Sequence, residues 1–112
     1  MKVAINGFGR IGRSVFRILN SRENVSVVAI NDIAQNDALA YLLKYDTVMG
    51  RFEDTVTLDG DVMKTSNNTI KMVAEREPSQ LPWNNLNVDV VIEATGIFCA
   101  RDQIQQHIDA GA

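Results

Sequence analysis

A doubly wound α/β domain with a mostly parallel sheet is the fold this sequence predicts. Three observations carry that expectation. Short runs rich in β-branched residues alternate with segments of helical periodicity. A glycine-rich turn joins the first strand-like run to the first helix-like one. An acidic residue closes the second apolar run. The chain has 112 residues, enough for one domain spanning 1–112, and 46% hydrophobic content supplies a core.

In chain order, Lys2–Asn6 is predicted as a buried strand, and Gly7–Gly12 as the turn. Arg10 to about Ser21 should be a helix. Ile11, Val15, Ile18 and Leu19 follow the i, i+4, i+7, i+8 pattern and form its expected apolar face. Val25–Ile30 reads as a second buried strand. Asp37–Tyr45 is a second helix, with Ala38, Leu39, Leu42 and Leu43 as its stripe. From Thr55 to Val73 the pattern breaks into short β pieces around Asp59-Gly60-Asp61 and Asn67-Asn68, the signature of a small β-hairpin insertion. Pro78 and Pro82 mark an extended loop around Trp83. Val88–Ala94 is a further strand, and Asp102–Ala110 a final helix carried by Ile104 and Ile108. Helices are expected on both sheet faces. A parallel sheet would next receive another strand, so the sequence is expected to be the first part of a longer protein.

Charge and composition narrow the function classes. The net charge of -3 gives no basic excess for a nucleic-acid partner. One cysteine, Cys99, and one histidine, His107, cannot build a zinc site or an internal disulfide. The apolar runs fall far short of the roughly 18 residues a membrane span needs. With strand-like sequence beginning at Lys2, no targeting segment is expected ahead of the fold.

Gly7-Phe8-Gly9-Arg10-Ile11-Gly12 matches G-x-G-x-x-G between a strand and a helix, the Rossmann dinucleotide-binding fingerprint. Gly7 would permit the tight turn, Gly9 the approach of a pyrophosphate to the backbone, and Gly12 close packing of helix on strand. The free N–H groups and the helix dipole would hold the anion. Arg10 and Arg13 sit in the first helical turn, where the dipole disfavours cations unless an anion is bound. Asp32 follows Gly12 at the distance of about 20 residues expected for the carboxylate that binds the adenine ribose. It would repel a 2′-phosphate, and Ile33 offers nothing to one, so NAD is favoured over NADP. An alternative role for Asp32 is to cap the following turn. Thr95 and Gly96 follow the last strand and are placed near cofactor by the rule that ligands bind beyond strand carboxyl ends, with a plain strand-to-helix turn as the alternative.

The blocks KVAINGFGRIGR, VVAIND, LLKYDTVMGRF, VAEREPSQLPW, VDVVIEATGIF and HIDAGA occur in this order along essentially the whole chain. Together they resemble the N-terminal segment of phosphorylating glyceraldehyde-3-phosphate dehydrogenases. The resemblance implies that Asn6, Gly7, Phe8, Gly9, Arg10 and Ile11 form the pyrophosphate turn. It implies that Asp32 binds the adenine ribose, that Arg76 lies beside the adenine, and that Thr95, Gly96 and Phe98 line the cofactor cleft. The implied reaction is oxidation of an aldehyde phosphate by NAD, coupled to inorganic phosphate, in a cytoplasmic homotetramer of glycolysis. The family's nucleophile sits in a Ser-Cys-Thr-Thr-Asn motif, which this sequence does not contain. Cys99 and His107 match no catalytic position, so no catalytic residue is assigned and the catalytic domain is expected outside this chain. Met49 departs from the family pattern before Gly-Arg-Phe and bears on the subfamily, not the fold. Erythrose-4-phosphate dehydrogenase shares the opening blocks and is the close alternative. A non-catalytic NAD-binding module and a ligand-free α/β domain are the readings from other classes.

Overall fold

A computed structural model describes residues 1–45, 52, 54–75, 83 and 86–94. The elements are β1 (Lys2–Asn6), α1 (Arg10–Asn20), β2 (Ser26–Asn31), α2 (Asn36–Lys44), β3 (Thr57–Asp59), β4 (Val62–Lys64), β5 (Thr69–Val73) and β6 (Val90–Glu93). The helix expected over 102–110 lies outside the described residues. All the strands join one sheet in the order β3-β4-β5-β2-β1-β6. β1 runs parallel to both β2 and β6, and β2 runs parallel to β5. β3, β4 and β5 pair antiparallel.

The hairpin region is therefore part of the main sheet. Periodicity of two marks a strand but does not name its partner. Ile70 and Met72 of β5 enter the same core as Val27 and Ile30 of β2, and this shared burial fixes β5 beside β2. Gly60, at φ 62°, supplies the positive φ for the turn between the paired residues Asp59 and Val62.

Alternation along the strands, offset by one residue in β2 where its pairing with β1 shifts register after Val27, builds two cores. One face carries Ile5, Val27, Ile30, Ile70 and Met72, covered by Phe8, Phe16, Leu39 and Leu43. The other carries Ala4 and Ala29, covered by Trp83 and Val88. Among the described residues both helices lie on the first face, and Trp83, which is fully buried, packs on the second with Val88; the rest of the loop expected from Pro78 lies largely outside the described residues.

The buried face of α1 differs from the expected stripe. Ile11 and Ile18 are exposed, at 68% and 57%, whereas Gly12, Phe16 and Asn20 are buried and Leu19 packs at the margin of the core. Gly12 sets this rotation. A Cβ there would lie 2.1 Å from the Gly7 carbonyl oxygen, so Gly12 is the point of closest approach to the turn. Positions four and eight residues on then face inward. Glycine carries no hydrophobic signal, so the pattern of isoleucines points elsewhere. In α2, Leu39 and Leu43 are buried as expected, but Ala38 and Leu42 are exposed and Ala40 is buried instead.

A polar clasp fixes the far end of α1. Asn20 Nδ2 donates to Asp54 (2.8 Å), while Asn20 Oδ1 accepts from Thr65 Oγ1 (2.7 Å) and Asn68 Nδ2 (2.7 Å). Burial opposes the charge of Asp54. Hydrogen bonds from the Asn20 and Ser66 side chains and the Thr55 and Ser66 N–H groups outweigh it and hold the carboxyl below its ordinary range.

Candidate cofactor site

The carboxyl ends of β1 and β2 lie side by side, with Asn6 paired to Asn31. The chain then turns at Gly7, whose φ of 96° suits only glycine. The Gly7 N–H donates to the Asn31 carbonyl at 2.7 Å, which holds the turn against β2. Helix α1 starts after Gly9. Its first internal hydrogen bond runs from Arg13 N–H to the Gly9 carbonyl, 2.9 Å. No side chain caps this helix start, and its first turn holds no acidic residue. The N–H groups opening the helix therefore remain available, at the positive end of its dipole.

The glycines of the turn divide by physical cause. Gly7 is required by its φ, and Gly12 by the backbone oxygen 2.1 Å from where its Cβ would stand. Gly9 is required by neither. Its φ of -77° is ordinary for any residue, and a Cβ there would meet none of the described residues within 4 Å. None of the described residues fills the space in front of Gly9. A pyrophosphate approaching the backbone needs that clearance, and the residues present fit such a group.

Asp32 stands across from the turn. One carboxylate oxygen accepts from the Phe8 N–H (2.8 Å), the other from the Ala34 N–H (2.9 Å). Its own N–H donates to Val73 of β5, 2.9 Å. Asp32 thus ties the glycine turn to the end of β2 and also makes the local turn weighed as its alternative role. Each oxygen keeps a lone pair for a further donor. The ribose hydroxyls of an adenosine are donors of that kind.

Several residues expected at the site stand differently. The Phe8 ring is fully buried and packs edge-on against Phe16, with centroids 5.9 Å apart, so only its backbone borders the turn. Asn6 is 2% exposed and its amide is engaged inside the protein. Arg10 is exposed, but Arg13 is buried and donates back to the Phe8 carbonyl at 3.2 Å, bracing the turn instead of facing an anion. Arg76, Thr95, Gly96, Phe98, Cys99 and His107 lie outside the described residues. Sequence reasoning passed over Asn31 and Glu93. An asparagine and a glutamate ending apolar strands, one directly before Asp32 and the other near the end of the last strand-like run, were the only signal available.

Comparison with known proteins agrees with this geometry. The family model described as "Glyceraldehyde 3-phosphate dehydrogenase, NAD binding domain" matches residues 1–101. The chain is 47% identical to cytosolic glyceraldehyde-3-phosphate dehydrogenase of Trypanosoma brucei brucei, over 100% of its own length and 34% of that protein's. It is similar to the Priestia megaterium enzyme of the same name at 47% identity, over 100% of this chain and 33% of the relative. With the Escherichia fergusonii enzyme the identity is 48%, over 100% and 34%. The chain thus spans about a third of the length of the relatives it matches. A parallel sheet, a glycine turn opening an uncapped helix, and a carboxylate facing that turn accompany this match, and the chain belongs to the glyceraldehyde-3-phosphate dehydrogenase family as its NAD-binding domain, with NAD as cofactor.

Proposed function

We propose that the protein to which this domain belongs oxidises glyceraldehyde 3-phosphate to 1,3-bisphosphoglycerate, consuming inorganic phosphate and passing hydride to NAD. The identity shared with enzymes of that name supports this reading. In it, this chain supplies cofactor binding, and neither Cys99 nor His107 takes part in the chemistry. The catalytic domain is a separate part of the protein, the assembly is a homotetramer, and the compartment is the cytoplasm, as for the relative named cytosolic.

Within the domain, the N–H groups of Arg10, Ile11 and Gly12 hold the pyrophosphate, with the cleared space at Gly9 letting it reach the backbone. Asp32 accepts from the adenine ribose, and Arg76, Thr95, Gly96 and Phe98 complete the cleft. The NAD supplies the hydride acceptor when bound. The single observation that carries the site is Gly9, where neither the φ nor any described neighbour calls for the missing side chain. The test is calorimetric titration of the chain with NAD and NADP, alongside Asp32→Ala. Saturable NAD binding, weaker NADP binding and loss of affinity in the variant are expected. Equal affinity for the two cofactors overturns the role given to Asp32. For the intact protein, turnover of glyceraldehyde 3-phosphate against erythrose 4-phosphate tests the substrate, and preference for the four-carbon aldehyde overturns it.

A further inference from the structure

A row of polar side chains, buried at Asn6 and Asn31 and half-buried at Glu93, crosses the carboxyl end of the sheet just beneath the cofactor site. Glu93 of β6 accepts from Asn6 Nδ2 of β1, 2.8 Å. Asn6 Oδ1 accepts from Asn31 Nδ2 of β2, 2.7 Å. The Asn31 amide then grips the backbone of Glu75 beyond β5. Its Nδ2 donates to the Glu75 carbonyl (2.9 Å), and its Oδ1 accepts from the Glu75 N–H (2.8 Å). Asn6 and Asn31 are 2% and 5% exposed.

These side chains sit where the strands below them are apolar, next to Ile5 and Ile30. A buried amide is costly unless satisfied, and once satisfied it holds its neighbours in one arrangement. The position of the row gives that rigidity a use. Asn6 directly precedes Gly7, where the pyrophosphate turn begins, and Asn31 directly precedes Asp32. The Asn31 carbonyl also receives the Gly7 N–H, and the Asp32 carboxylate receives the Phe8 N–H. The two halves of the site are thus joined to each other through the row and through their own backbone.

We propose that Asn6, Asn31 and Glu93 are positioning residues that set the spacing between the pyrophosphate turn and the ribose carboxylate, so that one NAD can engage both. The role rests on the cofactor site assigned above. It concerns ligands that span the two halves. A ligand touching one half alone does not sense the spacing, whereas NAD, which must engage both halves at once, does.

The test uses the direction of one hydrogen bond. Asn6→Asp sets two carboxylates against each other, Asp in place of the donor and Glu93 opposite. The double variant Asn6→Asp/Glu93→Gln restores the bond with donor and acceptor exchanged and with the original net charge. Binding of NAD, of adenosine and of inorganic pyrophosphate is titrated for the full chain and both variants. The expected result is a loss of NAD affinity of about 10-fold or more in Asn6→Asp. Adenosine and pyrophosphate should bind within a few-fold of the original chain, and NAD affinity should return in the double variant. Equal weakening of all the ligands overturns the proposal and leaves a structural role. Unchanged NAD binding in Asn6→Asp, or no recovery in the double variant, overturns it as well. If Asn6→Asp does not fold, the ratio of NAD to adenosine affinity is read on Asn31→Ala, and a ratio unchanged from the original chain overturns the proposal. Failure of the unsubstituted chain to bind NAD is a distinct result: it removes the site itself, and the positioning role falls with it.

Discussion

Replacing Gly9 and Gly12 separately by alanine should have opposite consequences. At Gly12 the new methyl lies 2.1 Å from the Gly7 oxygen, 3.1 Å from the Gly7 carbon and 3.4 Å from Ile5 Cγ2. Ordinary carbon contacts begin at about 3.5 Å, so roughly 1 Å or more of movement is needed. The obstacle is backbone, and it is held by the Gly7–Asn31 hydrogen bond of 2.7 Å and the Gly7 φ of 96°. The helix must lift from the sheet, taking Phe16 with it. The cost should reach or exceed the top of the range of about 1–3 kcal/mol for overpacking. In a domain of this size that lowers Tm by roughly 10 °C or more. At Gly9 the φ is ordinary and the methyl meets none of the described residues within 4 Å. Losing a favoured N-cap residue costs up to about 1 kcal/mol, and reduced freedom of the unfolded chain returns about 0.4–1 kcal/mol. Gly9→Ala should therefore melt within a few degrees of the original chain, by roughly the conversion just used. Its methyl nevertheless occupies the space a pyrophosphate needs, so NAD affinity should fall by about 10-fold or more, corresponding to about 1.4 kcal/mol. Thermal melts followed by circular dichroism, with and without saturating NAD, measure both effects. Gly9→Ala binding NAD at the original affinity would refute the reasoning that its missing side chain serves a ligand. A Gly12→Ala melt near the original would refute the packing argument.

The remaining predictions concern the carboxylates and the helix face. Asp32→Ala should weaken NAD by about 10- to 100-fold, the worth of hydrogen bonds to a charged acceptor, as read by calorimetry. Phe16→Ala should cost about 3–5 kcal/mol in urea unfolding, while Ile18→Ala should stay within about 0.5 kcal/mol. Equal losses would mean that α1 is rotated from the orientation described. Asp54, held below its ordinary value, contributes stability that is present in full above the unfolded-chain pKa and is lost as pH falls through the folded one. Unfolding of Asp54→Asn should therefore depend less on pH below about pH 4 than unfolding of the original chain, and parallel curves would count against the clasp.

The strands and helices were legible because each is written in local chemistry. Lys2–Asn6 occurs as expected, and the boundaries of α1, β2 and α2 fall within a residue of the sequence reading. Asp32 and the glycine turn were legible for the same reason, as a motif needs only spacing and residue type to be seen. The two uses of Asp32, facing the turn and bracing Ala34, required atoms to be placed. The membership of β5 in the main sheet was hidden because strand pairing is a long-range choice made by shared burial.

By itself, then, the sequence determined the described strands and helices, their order, the glycine turn and the place of Asp32 at the end of β2, all of which depend on near neighbours along the chain. The tertiary structure alone decided which side of α1 is buried, because a glycine at closest approach outranks a row of isoleucines when backbone meets backbone. It alone separated Gly9, whose missing side chain no described neighbour requires, from Gly7 and Gly12, which the fold itself demands. It alone joined Asn6, Asn31 and Glu93, because a hydrogen-bonded row across parallel strands links residues whose separation in sequence gives no hint of their contact.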